Sequence, residues 1–283
     1  LFGIVTLIYW PVLIKLFQYL LSNDDYSYGL LIPLVSIYII YQKWPKIKEV
    51  PWQPSWWGLL VMLSGLWFFI MGELAADLYV PRISFIMTLG GIVLLLGGAR
   101  LLRLLIFPLL LLILMVPLPE LVTNKLTMPL QLISSQLATF FLQLMGIPVF
   151  RQGNIIDLGV RQMQIVDACS GLRYILALLA LGIIFCYFYQ RKVWKIILLL
   201  LVLIPATIFA NALRVAGMGI YPALLEGFWH AFSGWLIFVF CFAILALVNF
   251  GLNRLSPPGQ DTIPAPTPKP GGGPHRSGKS PSP

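Results

Sequence analysis

The apolar residues of this chain fall into eight runs, at about 1–21, 26–42, 56–72, 83–99, 101–118, 170–189, 193–212 and 230–251, each 17–22 residues long. A helix needs about 20 predominantly apolar residues to cross a bilayer. In lipid it is also the open-chain form that satisfies its own backbone. The pattern predicts an all-α polytopic membrane protein with about eight transmembrane helices.

The polar positions between the runs set the orientation. Lys43, Lys46 and Lys48 follow the second run, Arg100 and Arg103 the fourth, Arg191, Lys192 and Lys195 the sixth, and Arg254 the eighth. The intervening loops carry Asp24, Asp25, Glu73, Asp77, Glu120, Asp157, Asp167 and Glu226. Cytoplasmic loops of membrane proteins are enriched in Lys and Arg, so both termini are expected in the cytoplasm. Counted with the C-terminal tail, twelve Lys and Arg then lie inside and six outside, with Lys15 within the first span.

Residues 120–145 break the pattern. They are apolar enough to suggest a span, yet contain Thr123, Asn124, Lys125, Thr127, Gln131, Ser134, Ser135, Gln136, Thr139 and Gln143. If they crossed, Arg191 to Lys195 would fall outside. The mixture suits a surface-lying amphipathic or re-entrant helix. Residues 148–166 change character again: two short segments rich in Ile and Val flank Asp157-Leu158-Gly159, with Gly153-Asn154 before them, the pattern of a small β-hairpin. The expected organisation is a membrane domain over 1–255, with 119–168 as an extracytoplasmic cap of amphipathic helix plus β-hairpin. Residues 256–283 hold nine prolines and five glycines and read as a flexible cytoplasmic tail, with His275 a solvated tail residue.

Composition agrees with the pattern and narrows the function classes. Hydrophobic residues make up 59% and charged residues 10% of the 283, against about 25% charged in soluble domains; the mean hydropathy is +0.89. This excludes an ordinary soluble domain, a disordered chain and a secreted disulfide scaffold. The net charge of +9 sits in short clusters beside apolar runs, so it orients the protein and implies no nucleic-acid partner.

Drawing the topology brings three reactive side chains to one boundary. Cys169 begins the sixth span, Arg214 ends the seventh and His230 begins the eighth, all at the outer face. Ionisable residues beside membrane spans carry a functional expectation. A thiol attacks as thiolate, and a helix N-terminus or nearby cation promotes that form. Cys169 has both available. His230 can take the thiol proton and return it to a leaving amine. Arg214 stays charged and suits an oxyanion or substrate carboxylate. If this is one centre, the Cys169 sulfur and the His230 ring face a common cavity that Arg214 borders. Supporting positions are Asp167, Ser170, Gly171 and Arg173 around the cysteine, and Asn211 one turn before Arg214. A structural salt bridge is the competing reading for Asp167 and Arg173. Cys186 and Cys241 read as packing residues. No CxxC or histidine pair supplies metal ligands, and no Gly-x-Ser-x-Gly, Walker or dinucleotide fingerprint occurs. No metal or cofactor is expected.

These residues also carry a resemblance. Ala168-Cys169-Ser170-Gly171-Leu172-Arg173, Asn211-Ala212-Leu213-Arg214 and His230 with Ser233-Gly234 resemble the signatures of the exosortase/archaeosortase family of multi-pass membrane cysteine transpeptidases. Pro117-Leu118-Pro119, Gly146-Ile147-Pro148-Val149, Gly153-Asn154 and the stretch from Tyr26 to Pro33 fit as well, although Tyr28 stands where many members have histidine. The resemblance implies a thiol protease or transpeptidase in the bacterial or archaeal cytoplasmic (inner) membrane. Such an enzyme would cleave C-terminal Pro-Glu-Pro-type sorting signals of exported membrane-anchored proteins at the outer face, through a cysteine thioester. It implies Cys169 as nucleophile, His230 as acid and base, and Arg214 as stabiliser, with substrate proteins and the lipid bilayer as partners. The alternatives are a lipid-linked saccharide transporter or flippase, which predicts polar residues along the bilayer midplane, and a non-catalytic membrane subunit of an export complex.

Overall fold

Between the fourth and fifth apolar runs the helix breaks at a glycine rather than at the basic pair Arg100 and Arg103. In the computed structural model, which describes residues 1–166 and 169–255, Gly98 has φ +76° and ψ −176° inside α4 (Val80–Leu111). Glycine takes this left-handed φ without a Cβ penalty, and an added Cβ would strike the carbonyl of Gln53. The two arms fold back on each other. Ile83, Ile86 and Gly90 from the first face Leu102, Ile106 and Ile113 from the second across an apolar cavity of about 250 Å³.

The other helices are α1 (Phe2–Ser22), α2 (Leu31–Glu49), α3 (Trp57–Leu74), α5 (Glu120–Leu144), α6 (Leu172–Tyr189), α7 (Val193–Ile220) and α8 (Gly227–Leu255). Short 3₁₀ turns occupy Ser27–Leu30, Leu112–Met115 and Pro222–Leu224. The protein is an all-α polytopic membrane fold with one small sheet. Among the described residues six helices are long and apolar enough to cross a membrane: α1, α3, α4 with its terminal 3₁₀ turn, α6, α7 and α8. The sequence pattern predicts about eight. The difference lies in α4, which holds two apolar runs in one kinked element, and in α2, whose last turns include Lys43, Lys46 and Lys48. Uncovered apolar side chains such as Leu7, Leu34, Trp67 and Leu247 suit lipid, which is as apolar as they are.

Three packed groups position the rest. The first half of the chain is joined by α3 against α4, where Gly58 lies against the backbone of Leu95 and Gly91 against that of Met62. Small residues at such crossings let helices approach closely. The fully buried Tyr9 of α1 shares its hydroxyl with Ser84 (3.1 Å) and Thr88 (3.0 Å) of α4. In the second half, α6, α7 and α8 share a core of Leu178, Leu199, Leu203, Ile237, Cys241 and Leu245.

The third group is the cap. α5 is not among the six candidate spans and lays Ala138 and Leu142 against Val215 and Ala216 of α7. The expected hairpin is present with a third strand: β1 (Phe150–Gln152), β2 (Ile155–Asp157) and β3 (Gln162–Gln164) form an antiparallel sheet in that order. Phe150 pairs with Asp157, and Asp157 with Gln162. Gly153 and Asn154 make the first turn, with φ +63° at the glycine. Arg161 donates to the carbonyls of Met218 (2.7 Å) and Gly219 (2.8 Å), which α7 leaves unbonded at its C-terminus. The Pro/Gly-rich segment 256–283, with His275, lies outside the described residues.

Candidate active site

Gly171 opens α6 at φ +88°, again a conformation that favours glycine, and an added Cβ would meet the side-chain amide of Asn211 at 3.2 Å. Cys169 therefore precedes the helix by three residues rather than beginning it. Its neighbour Ser170 is buried and accepts the backbone N–H of Leu172 (3.3 Å). Asn211, fully buried on α7, donates its amide to the Cys169 carbonyl (2.9 Å) and to Ser134 of α5 (3.1 Å). One residue thus ties the cysteine loop to both the cap and α7. The Asn211 carbonyl oxygen has no partner.

Three residues further along α7, Arg214 is the hub. Its Nε donates to Ser233 Oγ (3.0 Å), and its Nη2 lies 2.9 Å from His230 Nε2 and 3.1 Å from the His230 carbonyl. The guanidinium also lies over the Tyr174 ring, 5.4 Å from its centroid. His230 Nδ1 is 3.1 Å from the carbonyl of Leu224, which only accepts. The bonding pattern therefore assigns the neutral ring with its proton on Nδ1 and the Nε2 lone pair facing Arg214. Arg214 is 6% exposed, yet its Nη1 has no partner. A buried cationic donor left unpaired is costly, and such groups mark places where a ligand completes the set.

Arg173 is held more loosely. It sits 3.5 Å from Asp25, lies over the Tyr174 ring at 5.1 Å and donates to the Tyr174 hydroxyl (3.3 Å). Gly234 makes room for this tyrosine, since a Cβ there would collide with its hydroxyl. Arg173, Tyr174, Arg214, His230, Tyr28 and Asp24 help line one cavity of about 300 Å³.

Cys169 does not line that cavity, so the common cavity expected for the Cys169 sulfur and the His230 ring is not what the structure shows. It packs at the edge of the cap core of Leu142, Ile156, Ile165 and Val215, and no sulfur–nitrogen hydrogen bond joins it to His230. It is coupled electrostatically to Arg214 and Arg173, but burial outweighs both cations and pushes its thiol above the ordinary range. The sequence argument from a helix start and a nearby cation points to a lowered value, and the structure reverses that sign. At Tyr28, burial likewise pushes the phenol up.

The structure thus brings Arg214, His230 and Asn211 into one bonded network with the Cys169 backbone, with Arg173 beside it. Asp167 lies outside the described residues. Sequence reading passed over Tyr174, Asp25, Ser134 and the Leu224 carbonyl as parts of this network. Of these only Asp25, an acid in an outer loop, gave any signal. A tyrosine inside an apolar run looks like packing, and a carbonyl is common to every residue.

The sequence matches the family described as Transmembrane exosortase (Exosortase_EpsH) over residues 20–247. No curated protein and no solved structure matches the chain.

Proposed function

This chain belongs to the transmembrane exosortase family, and on that premise we propose that it is a membrane-embedded cysteine protease or transpeptidase acting on C-terminal Pro-Glu-Pro-type sorting signals of exported, membrane-anchored proteins. Family membership supports a membrane transpeptidase-type role in general. The substrate signal and the chemistry below are our reading, as is placement of the site on the extracytoplasmic side of a bacterial or archaeal cytoplasmic membrane. The basic clusters at the opposite ends of α2 and α6 support that orientation. In this topology residues 119–168 cap the membrane domain of residues 1–255 on the substrate side.

The observation that carries the proposal is Arg214: buried, bonded to His230, electrically coupled to Cys169, and with Nη1 unsatisfied. The substrate carbonyl takes that Nη1, and its negative charge in the tetrahedral intermediate is met by a fixed cation. Drawing Arg214 toward substrate frees His230 Nε2. The ring can then accept the Cys169 proton once bound substrate draws the thiol to it, because its Nδ1–H is already held by Leu224. The thiolate attacks, the C–N bond breaks, and His230 returns the proton to the leaving amine. An acceptor amine or water then resolves the thioester. Asn211 holds the loop in place through the Cys169 carbonyl, and Gly171 and Ser170 keep the backbone close.

The test is co-expression with a membrane-anchored substrate carrying a Pro-Glu-Pro signal. Cys169→Ala is expected to abolish processing while the protein still accumulates in the membrane. Unchanged cleavage in that variant overturns the thiol mechanism.

A further inference from the structure

At the far end of the bundle from Arg214, a larger cavity opens between the ends of α2 and α6 and the start of α7. Its volume is about 710 Å³. Its rim carries Lys43 and Lys46 from α2 and Arg191 from the α6–α7 loop, and among the described residues that line it none is acidic. Its depth is apolar and aromatic. Phe107 stacks on Tyr187 with centroids 4.0 Å apart and planes 11° apart, and Phe188 packs on Tyr38 of α2 at 6.2 Å.

The cations are of two kinds. Lys43 is fixed: its Nζ donates to the Leu104 carbonyl (2.7 Å) and lies 5.5 Å from the Tyr187 ring centroid. Lys46 and Arg191 are exposed and make no hydrogen bond or ion pair with any described residue. Among the described residues the one ion pair is Arg173 with Asp25, at the opposite end. Behind the cavity, Gln190 donates to Asn249 and Asn253, and buried Lys195 donates to Asn253 (3.0 Å). This wall is polar.

A space with a cationic rim, positive charge that no described carboxylate offsets, and an apolar floor matches one chemistry: a phosphodiester headgroup with its acyl chains. Basic pockets between transmembrane helices bind acidic lipid headgroups in this way, and long cationic side chains reach the headgroup level while their stems lie on apolar surface. We propose that this cavity binds an anionic phospholipid, its phosphate held by Lys43, Lys46 and Arg191 and an acyl chain lying along Phe107, Ile183 and Ile196. The site is separate from the Arg214 network and does not depend on the reaction proposed there.

The test is native mass spectrometry of the detergent-purified full chain titrated with dioleoylphosphatidylglycerol, dioleoylphosphatidylcholine or glycerol phosphate. Phosphatidylglycerol is expected to bind, and to bind more weakly as salt rises. Phosphatidylcholine and glycerol phosphate at the same concentration are expected not to bind. Lys46→Gln/Arg191→Gln is expected to bind phosphatidylglycerol about 30-fold more weakly, from two lost cations at about 1 kcal/mol each. Lys48→Gln/Arg254→Gln removes the same charge from residues that do not line the cavity and is expected to bind as the parent does. Equal binding by the parent and Lys46→Gln/Arg191→Gln overturns the site. So does phosphatidylcholine binding as tightly as phosphatidylglycerol. Glycerol phosphate binding as tightly as the lipid overturns the acyl part and makes this a free-phosphate site.

Discussion

The two ends of the bundle both concentrate positive charge, and they spend it in opposite ways. At the Arg214 end the cation is buried, held by three hydrogen bonds from one helix and stacked on a tyrosine from another. At the opposite end Lys46 and Arg191 are exposed at a rim and make no such bonds with the described residues. Burying a charge is expensive unless it is bonded. A protein that does so with one donor left open has fixed that charge in direction and distance. Rim cations cost little and fix nothing, which suits attraction of a mobile anionic surface. The contrast separates a place built for bond-making geometry from a place built for adhesion.

Removal of the buried cation is the strongest way to break this contrast. Arg214→Gln leaves His230 Nε2, Ser233 and the face of Tyr174 without their partner, and substrate processing is expected to fall roughly 10²–10³-fold. Arg214→Lys is expected to fall almost as far, because a single ammonium cannot make bonds through both Nε and Nη2. Processing in isolated membranes measures both. Parent-like cleavage by the lysine variant would mean that charge alone suffices and that the two ends differ only in burial.

A pH series sharpens the electrostatic side. Burial holds the Cys169 thiol above the ordinary range, so at neutral pH the resting group is mostly protonated. Its alkylation by iodoacetamide should rise about tenfold per pH unit and level off above the pH at which free cysteine does. Arg214 pulls the value down, so Arg214→Gln should move the curve to still higher pH. A curve that moved to lower pH would show that burial is not the dominant influence. Alkylation is best read in Cys186→Ala/Cys241→Ala, which leaves Cys169 as the only thiol.

Asn211→Ala tests whether the site is held in place from the cap. It removes the bonds to the Cys169 carbonyl and to Ser134, at a cost of about 1–3 kcal/mol in stability read by thermal unfolding. Processing is expected to fall about tenfold through displacement of the loop. The smallest expected effect is at Asp25. Its 3.5 Å pair with Arg173 is partly exposed, so Asp25→Asn should change stability by less than about 1 kcal/mol.

The helices were legible because their signal is additive: twenty apolar residues speak together, and no single one decides. The runs 83–99 and 101–118 meet at Arg100, and the chain bends two residues before it, at Gly98, where a positive φ and the nearby Gln53 carbonyl both exclude a Cβ. The additional strand, β1, was hidden because none of Phe150, Arg151 and Gln152 is buried, so it shows no apolar alternation. At the site, Cys169, Arg214, His230 and Asn211 stood out as polar residues in apolar surroundings. The ionisation of Cys169 could not be read that way. It depends on Leu142, Ile156 and Val215 packed around it, contacts that are distant in sequence.

The manner in which the cap is covered has a consequence for biogenesis. Leu142, Ile156 and Ile165 are buried under Val215 and Ala216, which are synthesised roughly 50–75 residues later in a chain made from its N-terminus. Until the second half of α7 emerges, that apolar face waits uncovered, and the bonds from Asn211 to Ser134 and Cys169 have no donor. Arg214 in turn waits for α8 to bring His230 and Ser233. The polar network therefore closes among the last contacts of the molecule. A chain interrupted between Cys169 and α8 would carry the cysteine without His230 and Ser233.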